Sequence, residues 1–183
     1  MIIALVILVG LGLFLMMSYN KLVALKNKVM EAWSGIDVQL KRRYDLIPNL
    51  VNTVKGYAAH ESGTLEKVIQ ARNQAISVQS TDVGGKAEAE VALSGALRQF
   101  FALSESYPDL KANTNFIDLQ RSLMDIEDNL QGARRYYNAL VRDNNTAVES
   151  FPSNLIANNF GFTKFEFFEL DDPQERVNPT VQF

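Results

Sequence analysis

The chain has 183 residues, about one domain's worth, which excludes a large modular enzyme. Hydrophobic residues make up 47% and charged residues 21%, the balance of a folded chain, and 18 Lys and Arg against 21 Asp and Glu give a net charge of -3, which argues against a general nucleic-acid binder. With no Cys and one His, disulfide scaffolds, cysteine nucleophiles and zinc fingers are excluded.

Met1 to Met17 is an unbroken run of apolar residues and Gly. At ~1.5 Å per residue it covers about 25 Å, so Ser18 to Leu22 are expected to complete the crossing of a ~30 Å hydrocarbon core. A cleaved signal peptide would need a basic leader, a shorter apolar stretch and a small-x-small site, and the segment has none of these. Tyr19 sits where an interfacial aromatic ends a span, and Lys21, Lys26 and Lys28 follow before the first acid, Glu31. This flank predicts membrane-interface roles for those four residues, with the N-terminus outside and the body in the cytoplasm. Lys21, Lys26 and Lys28 would then touch anionic headgroups.

The body reads as four helices. Leu22, Leu25, Val29, Ala32, Ile36 and Leu40 recur at three and four residues, and the pattern resumes at Ile47, Val51, Val54 and Ala58, so one rod is expected to leave the bilayer and run to about residue 60. Pro48 lacks an N–H and clashes with the carbonyl at Tyr44, which predicts a kink. A second helix is expected from Thr64 to about Gln79, with Leu65, Val68, Ile69, Ala75 and Ile76 inward. The Gly-rich segment 80–85 reads as a loop. A third helix follows from about Lys86 to Tyr107, on the stripe Ala89, Leu93, Ala96, Phe100, Leu103 and Tyr107, with Pro108 ending it. The fourth carries Phe116, Leu119, Leu123, Ile126, Leu130, Ala133, Tyr137 and Leu140 at alternating three and four, the repeat of left-handed bundle packing. The expected fold class is all-α: an N-terminal transmembrane helix continuing into an antiparallel up-down four-helix bundle with long first and fourth helices. Its divisions are an anchor at 1–20, the bundle at 21–170 and a loose tail at 171–183.

Gln39-Leu-Lys-Arg-Arg-Tyr-Asp-Leu-Ile-Pro-Asn-Leu-Val51, Val54-Lys-Gly-Tyr-Ala58, His60-Glu61, Tyr107-Pro-Asp-Leu-Lys-Ala112, Arg134, Tyr137-Asn138, Asn144 and Phe151-Pro152 form a pattern that resembles the LemA family of bacteria, from the apolar span to about Phe168. One departure is Ile126-Glu-Asp-Asn-Leu130, where the family has a Thr-Glu-Asn-like run. The resemblance implies a membrane-anchored antiparallel helical bundle of the bacterial inner membrane with no established biochemical activity, and one relative associated with magnetosome membranes. It supplies no catalytic residues.

Several groups of residues invite a functional reading. Continuing the spacing Ile36, Leu40, x, Ile47 singles out Arg43, and the antiparallel register brings it near Leu130, within about a turn of Glu127 and Asp128. An internal polar network of Arg43, Asp45, Glu127 and Asp128 is weighed against simple solvation; such a network sets register more than it stabilises. Lys41 and Arg42 are candidate partner contacts. The aromatic stretch Phe151, Phe160, Phe162, Phe165, Phe167 and Phe168 reads in three ways: as a cap on a core around Val29 and Trp33, as a contact for another copy or protein, or as an insertion into the bilayer interface. The acids Glu166, Glu169, Asp171, Asp172 and Glu175 disfavour the last. His60-Glu61 has no second His for a catalytic zinc, and Asn144-Asn-Thr146 matches a glycosylation sequon, cheap by chance.

The expected function is a non-enzymatic, single-pass scaffold that binds membrane lipid through residues 1–20 and self-assembles, with no catalytic, metal or cofactor-binding residues, no cofactor and no nucleic acid. The alternatives are an adaptor presenting the bundle to a cytoplasmic protein and, remotely, a membrane-tethered hydrolase, for which no nucleophile and base are recognisable together.

Overall fold

Why one helix runs from the apolar end into the body follows from its composition: no proline other than Pro48 and only isolated glycines interrupt residues 2–55. The computed structural model describes residues 1–58 and 60–169. Among them are six helices and no strand: α1 (Ile2–Lys55), α2 (Ser62–Ser77), α3 (Val83–Ser104), α4 (Pro108–Lys111), α5 (Thr114–Glu149) and α6 (Ser153–Phe160). The expected tail at 171–183, with Asp171, Asp172 and Glu175, lies outside the described residues.

The all-α class therefore holds, with six helices where four were expected. Pro108 does not end α3, which stops at Ser104. It opens α4 instead, at a first-turn position whose N–H has no helical partner anyway. The loop expected at 80–85 is shorter, because the Asp82 carboxylate accepts the Gly85 N–H at 2.8 Å and starts α3 at Val83. A Cβ at Gly85 would lie 2.3 Å from that carboxylate, so the close cap requires glycine there. Ile69 and Ile76, expected inward on α2, are exposed, while Leu65, Val68 and Ala75 are buried.

Two compact units result, and α1 and α5 contribute to both. One comprises Met1–Ile36 and Gly132–Phe167; the other comprises Asp37–Gln131, with Phe168 and Glu169 at the end of the described chain.

In the first unit the apolar part of α1 is exposed, with mean hydropathy 2.6 over its most apolar stretch, and α1 is long and apolar enough to cross a membrane. Beyond it, Leu22 joins Val148 of α5 and Ile156 and Ala157 of α6 in a buried cluster. Gly161, at φ 72°, ends α6 in the left-handed region. The Phe162 N–H turns back onto the Ala157 carbonyl at 2.9 Å, and the Phe162 ring packs on the cluster, the features of a Schellman stop.

In the second unit Leu40, Ile47, Leu50 and Val54 of α1 are buried, as are Leu93, Leu97 and Phe100 of α3 and Phe116, Leu123 and Leu130 of α5. α2 packs on α3.

Candidate functional site

Arg43 occupies the buried stripe of α1 between Leu40 and Ile47 and is 5% exposed. A guanidinium there needs partners for its donors, because an uncompensated buried charge is costly. It finds Glu90 Oε2 of α3 at 3.0 Å, Glu127 Oε2 of α5 at 3.3 Å and the Ser94 hydroxyl at 2.9 Å. Glu90 is 0% exposed, and its second oxygen accepts the Tyr44 hydroxyl. Lys86, also buried, donates to the Ala75 carbonyl at 3.0 Å and lies 5.6 Å from the centre of the Tyr44 ring. The result is a polar centre in which Arg43 and Lys86 balance Glu90 and Glu127, with the Tyr44 phenol inside it.

Burial dominates the proton affinities here. It raises the Glu90 carboxyl above its ordinary value, with Arg43, Tyr44 and Lys86 opposing. It also raises the Tyr44 phenol, helped by the charge of Glu90 and the hydrogen bond to it, so Tyr44 stays a donor. A half-exposed Glu127, its side chain 37% exposed, and the partly buried Ser94 give the centre its edge toward water. Chemically, the arrangement ties α1, α3 and α5 together at one level of the unit.

The network differs in membership from the sequence-based one. Glu127 meets Arg43, whereas Asp45 and Asp128 are exposed; Glu90, Ser94, Tyr44 and Lys86 take their place. The missed signal is on α3: Lys86, Glu90, Leu93, Leu97, Phe100 and Ser104 are all buried and recur at alternating four and three residues. The two charged residues extend an apolar stripe rather than leaving it.

Pro48 sits within continuous α1. Having no N–H, it leaves the Tyr44 carbonyl without its helical donor, and Arg72 Nε–H of α2 donates to that oxygen at 2.7 Å. Lys41 and Arg42 are exposed on the same helix.

The aromatic stretch divides. Phe151 is 79% and Phe160 65% exposed, and Phe167 is also exposed. Phe168 is completely buried. Phe162 and Phe165 are partly buried. Residues 162–167, which carry no regular structure, are held on α5 of the first unit by side chains. Asn145 receives the Phe165 N–H and donates to the Phe165 carbonyl, both at 2.9 Å. Asn144, buried, donates to the Thr163 carbonyl at 3.3 Å. The Tyr137 hydroxyl donates to the Glu166 carbonyl at 2.9 Å, and burial, with the charge of Glu166, pushes that phenol up to about 12. At the foot of the apolar run, the Tyr19 ring meets Phe160 and Phe162 edge-on, with centroids 5.0 and 5.6 Å apart. Lys21, Lys26 and Lys28 are exposed.

These features define an all-α protein with one helix able to span a membrane and a helical body carrying a buried ionic centre. The chain belongs to the LemA family, whose model matches residues 32–183. It is similar to Protein LemA of Metamycoplasma hominis, 26% identical over 162 residues, which cover 87% of this chain and 72% of that protein. It is also similar to Magnetosome protein MamQ of Magnetospirillum gryphiswaldense, 24% identical over 178 residues covering 84% of this chain and 65% of that protein. Magnetosome protein MamQ 2 of Paramagnetospirillum magneticum is 24% identical over 179 residues, covering 85% and 66%. The chain thus spans just under two thirds of the magnetosome relatives' length. The apolar helix and these relatives are consistent with a membrane location.

Proposed function

We propose that this chain is a non-enzymatic, single-pass membrane scaffold whose helical body self-assembles. The observation that carries the reading is the continuity of α1: one helix supplies the exposed apolar segment and the buried stripes of both units. An enzyme needs a positioned cleft and reacting groups; here the most elaborate polar constellation is buried and joins helices. Self-assembly is supported by large apolar side chains left exposed beyond the span, Met30, Val38, Met124 and Tyr136 among them. Extraction in mild detergent followed by mass measurement is expected to give a multiple of the protomer mass, and a strictly monomeric particle overturns assembly. The exposed Lys41 and Arg42 favour a second reading, an adaptor for an acidic protein partner. In-cell crosslinking separates the two, homotypic products supporting the scaffold and heterotypic ones the adaptor.

A further inference from the structure

Beside the foot of the apolar run, the first unit contains a cleft of about 560 Å³, within the range of small-ligand sites. Phe14, Ser18, Lys21 and Leu25 line it from one face of α1, and Arg142 and Thr146 line it from α5. From Phe14 to Lys21 its polarity is graded along α1, with the apolar Leu22 and Leu25 beyond. Phe14 belongs to the apolar run, Ser18 follows its end, and Lys21 is the first charge, about 10 Å of helix rise beyond Phe14. That is the order a lipid presents, from acyl chain through glycerol to phosphate. The charge also fits: Lys21 and Arg142 against Asp143, which lines the same cleft, leave one net positive charge. Neither cation forms a salt bridge among the described residues.

A neighbouring element sits at the same level. α6 buries Ile156 and Ala157 and exposes Leu155 and Phe160, and Phe160 contacts Tyr19, the aromatic that closes the span. Ser153, in the first turn of α6, also lines the cleft. An apolar face exposed beside the end of a span is suited to the boundary between acyl chains and headgroups.

We infer that this cleft binds the headgroup of an anionic phospholipid, with Lys21 and Arg142 holding the phosphate and an acyl chain lying along Phe14. The guanidinium supplies paired donors to phosphate oxygens and the ammonium a point charge. The inference rests on the membrane-anchored reading above and goes beyond it by assigning a site and a ligand class.

The test uses the full-length chain reconstituted in nanodiscs of mixed phosphatidylglycerol and phosphatidylcholine, with the lipid retained on release read by native mass spectrometry. Phosphatidylglycerol is expected to be retained preferentially, and the Lys21→Gln, Arg142→Gln double variant to lower its retention at least about tenfold. Lys21→Arg with Arg142→Lys is expected to keep it, as is Arg135→Gln, an exposed control on α5. Equal retention of the two lipids, or retention unchanged in the double variant, overturns the site. So does saturable binding of inorganic phosphate by the detergent-solubilised chain that competes with phosphatidylglycerol, which would make the ligand a soluble anion. Failure to enter nanodiscs at all sinks the anchored reading too, whereas entry without lipid preference sinks only the cleft.

Discussion

Pro48 and Arg72 compensate one another. Proline removes a donor from the middle of α1, and the Arg72 guanidinium returns one to the orphaned Tyr44 carbonyl. Arg72→Ala should cost about 1–3 kcal/mol, the range for a buried acceptor left unpaired. In a Pro48→Ala background the new N–H can satisfy Tyr44 itself, so the same Arg72 change should cost measurably less; a thermal-melt double-mutant cycle with additive losses refutes the compensation. Arg43 is held by two carboxylates, which makes a simple charge swap uninformative about either. Arg43→Glu should destabilise by about 3–5 kcal/mol, and adding Glu127→Arg should not restore the loss, because Glu90, fully buried, would then face another carboxylate. Full rescue by the swap would show that Glu127 alone pairs with Arg43. Glu90 also sets a pH dependence. Its carboxyl is raised in the folded chain above the ordinary 4.5, so the native state holds that proton more tightly than the unfolded state does. Its contribution to stability is greatest near and below the ordinary value and is lost as pH rises through the raised one. Thermal midpoints across the weakly acidic to neutral range should therefore fall with rising pH more steeply in the parent than in Glu90→Gln; parallel profiles contradict this.

Elements differ in how far the sequence discloses them, and the difference is physical. The stripes of α1, α3 and α5 persist over several turns, so a repeat of three and four exposes them. α6 has eight residues, too few turns for a period to stand out, although Gly161 after it is a typical stop. Charged residue types ordinarily face solvent, which hides Lys86 and Glu90 although their spacing continues the apolar stripe of α3. The segment after Gly161 has no period because its order comes from side-chain amides on α5. Asn145 acts as a substitute strand, one amide serving both backbone groups of Phe165, and Asn144, which fits a glycosylation sequon by chance, is buried against the same segment. Asn145→Ala removes two hydrogen bonds at once and should raise trypsin cleavage after the exposed Lys164 about tenfold or more, if opening of the segment governs cleavage. An unchanged cleavage rate would show that Asn144 and Tyr137 suffice to hold it.

At the scale of the molecule, composition and the apolar run disclosed the all-helical class and a helix apolar enough to cross a membrane, while the proposed orientation rests on flanking charge. Lys21, Lys26 and Lys28 are exposed just past the apolar run, and Arg142, in the same unit, lines the cleft with Lys21, adding a cation that is remote in sequence. Basic residues close to a span are retained on the cytoplasmic side, so the body is expected there, with the residues before the span outside. The chain contains no Cys, and a single engineered thiol can therefore report the side without background. Asp82 is a poor position for it because its carboxylate caps α3, and losing a cap costs about 1 kcal/mol. Thr81 is exposed in the turn between α2 and α3. In intact cells Thr81→Cys should resist a membrane-impermeant maleimide and should react once the membrane is permeabilised. Labelling of intact cells at the permeabilised level would place the body outside and invert the topology, leaving the helical fold and its ionic centre unaffected.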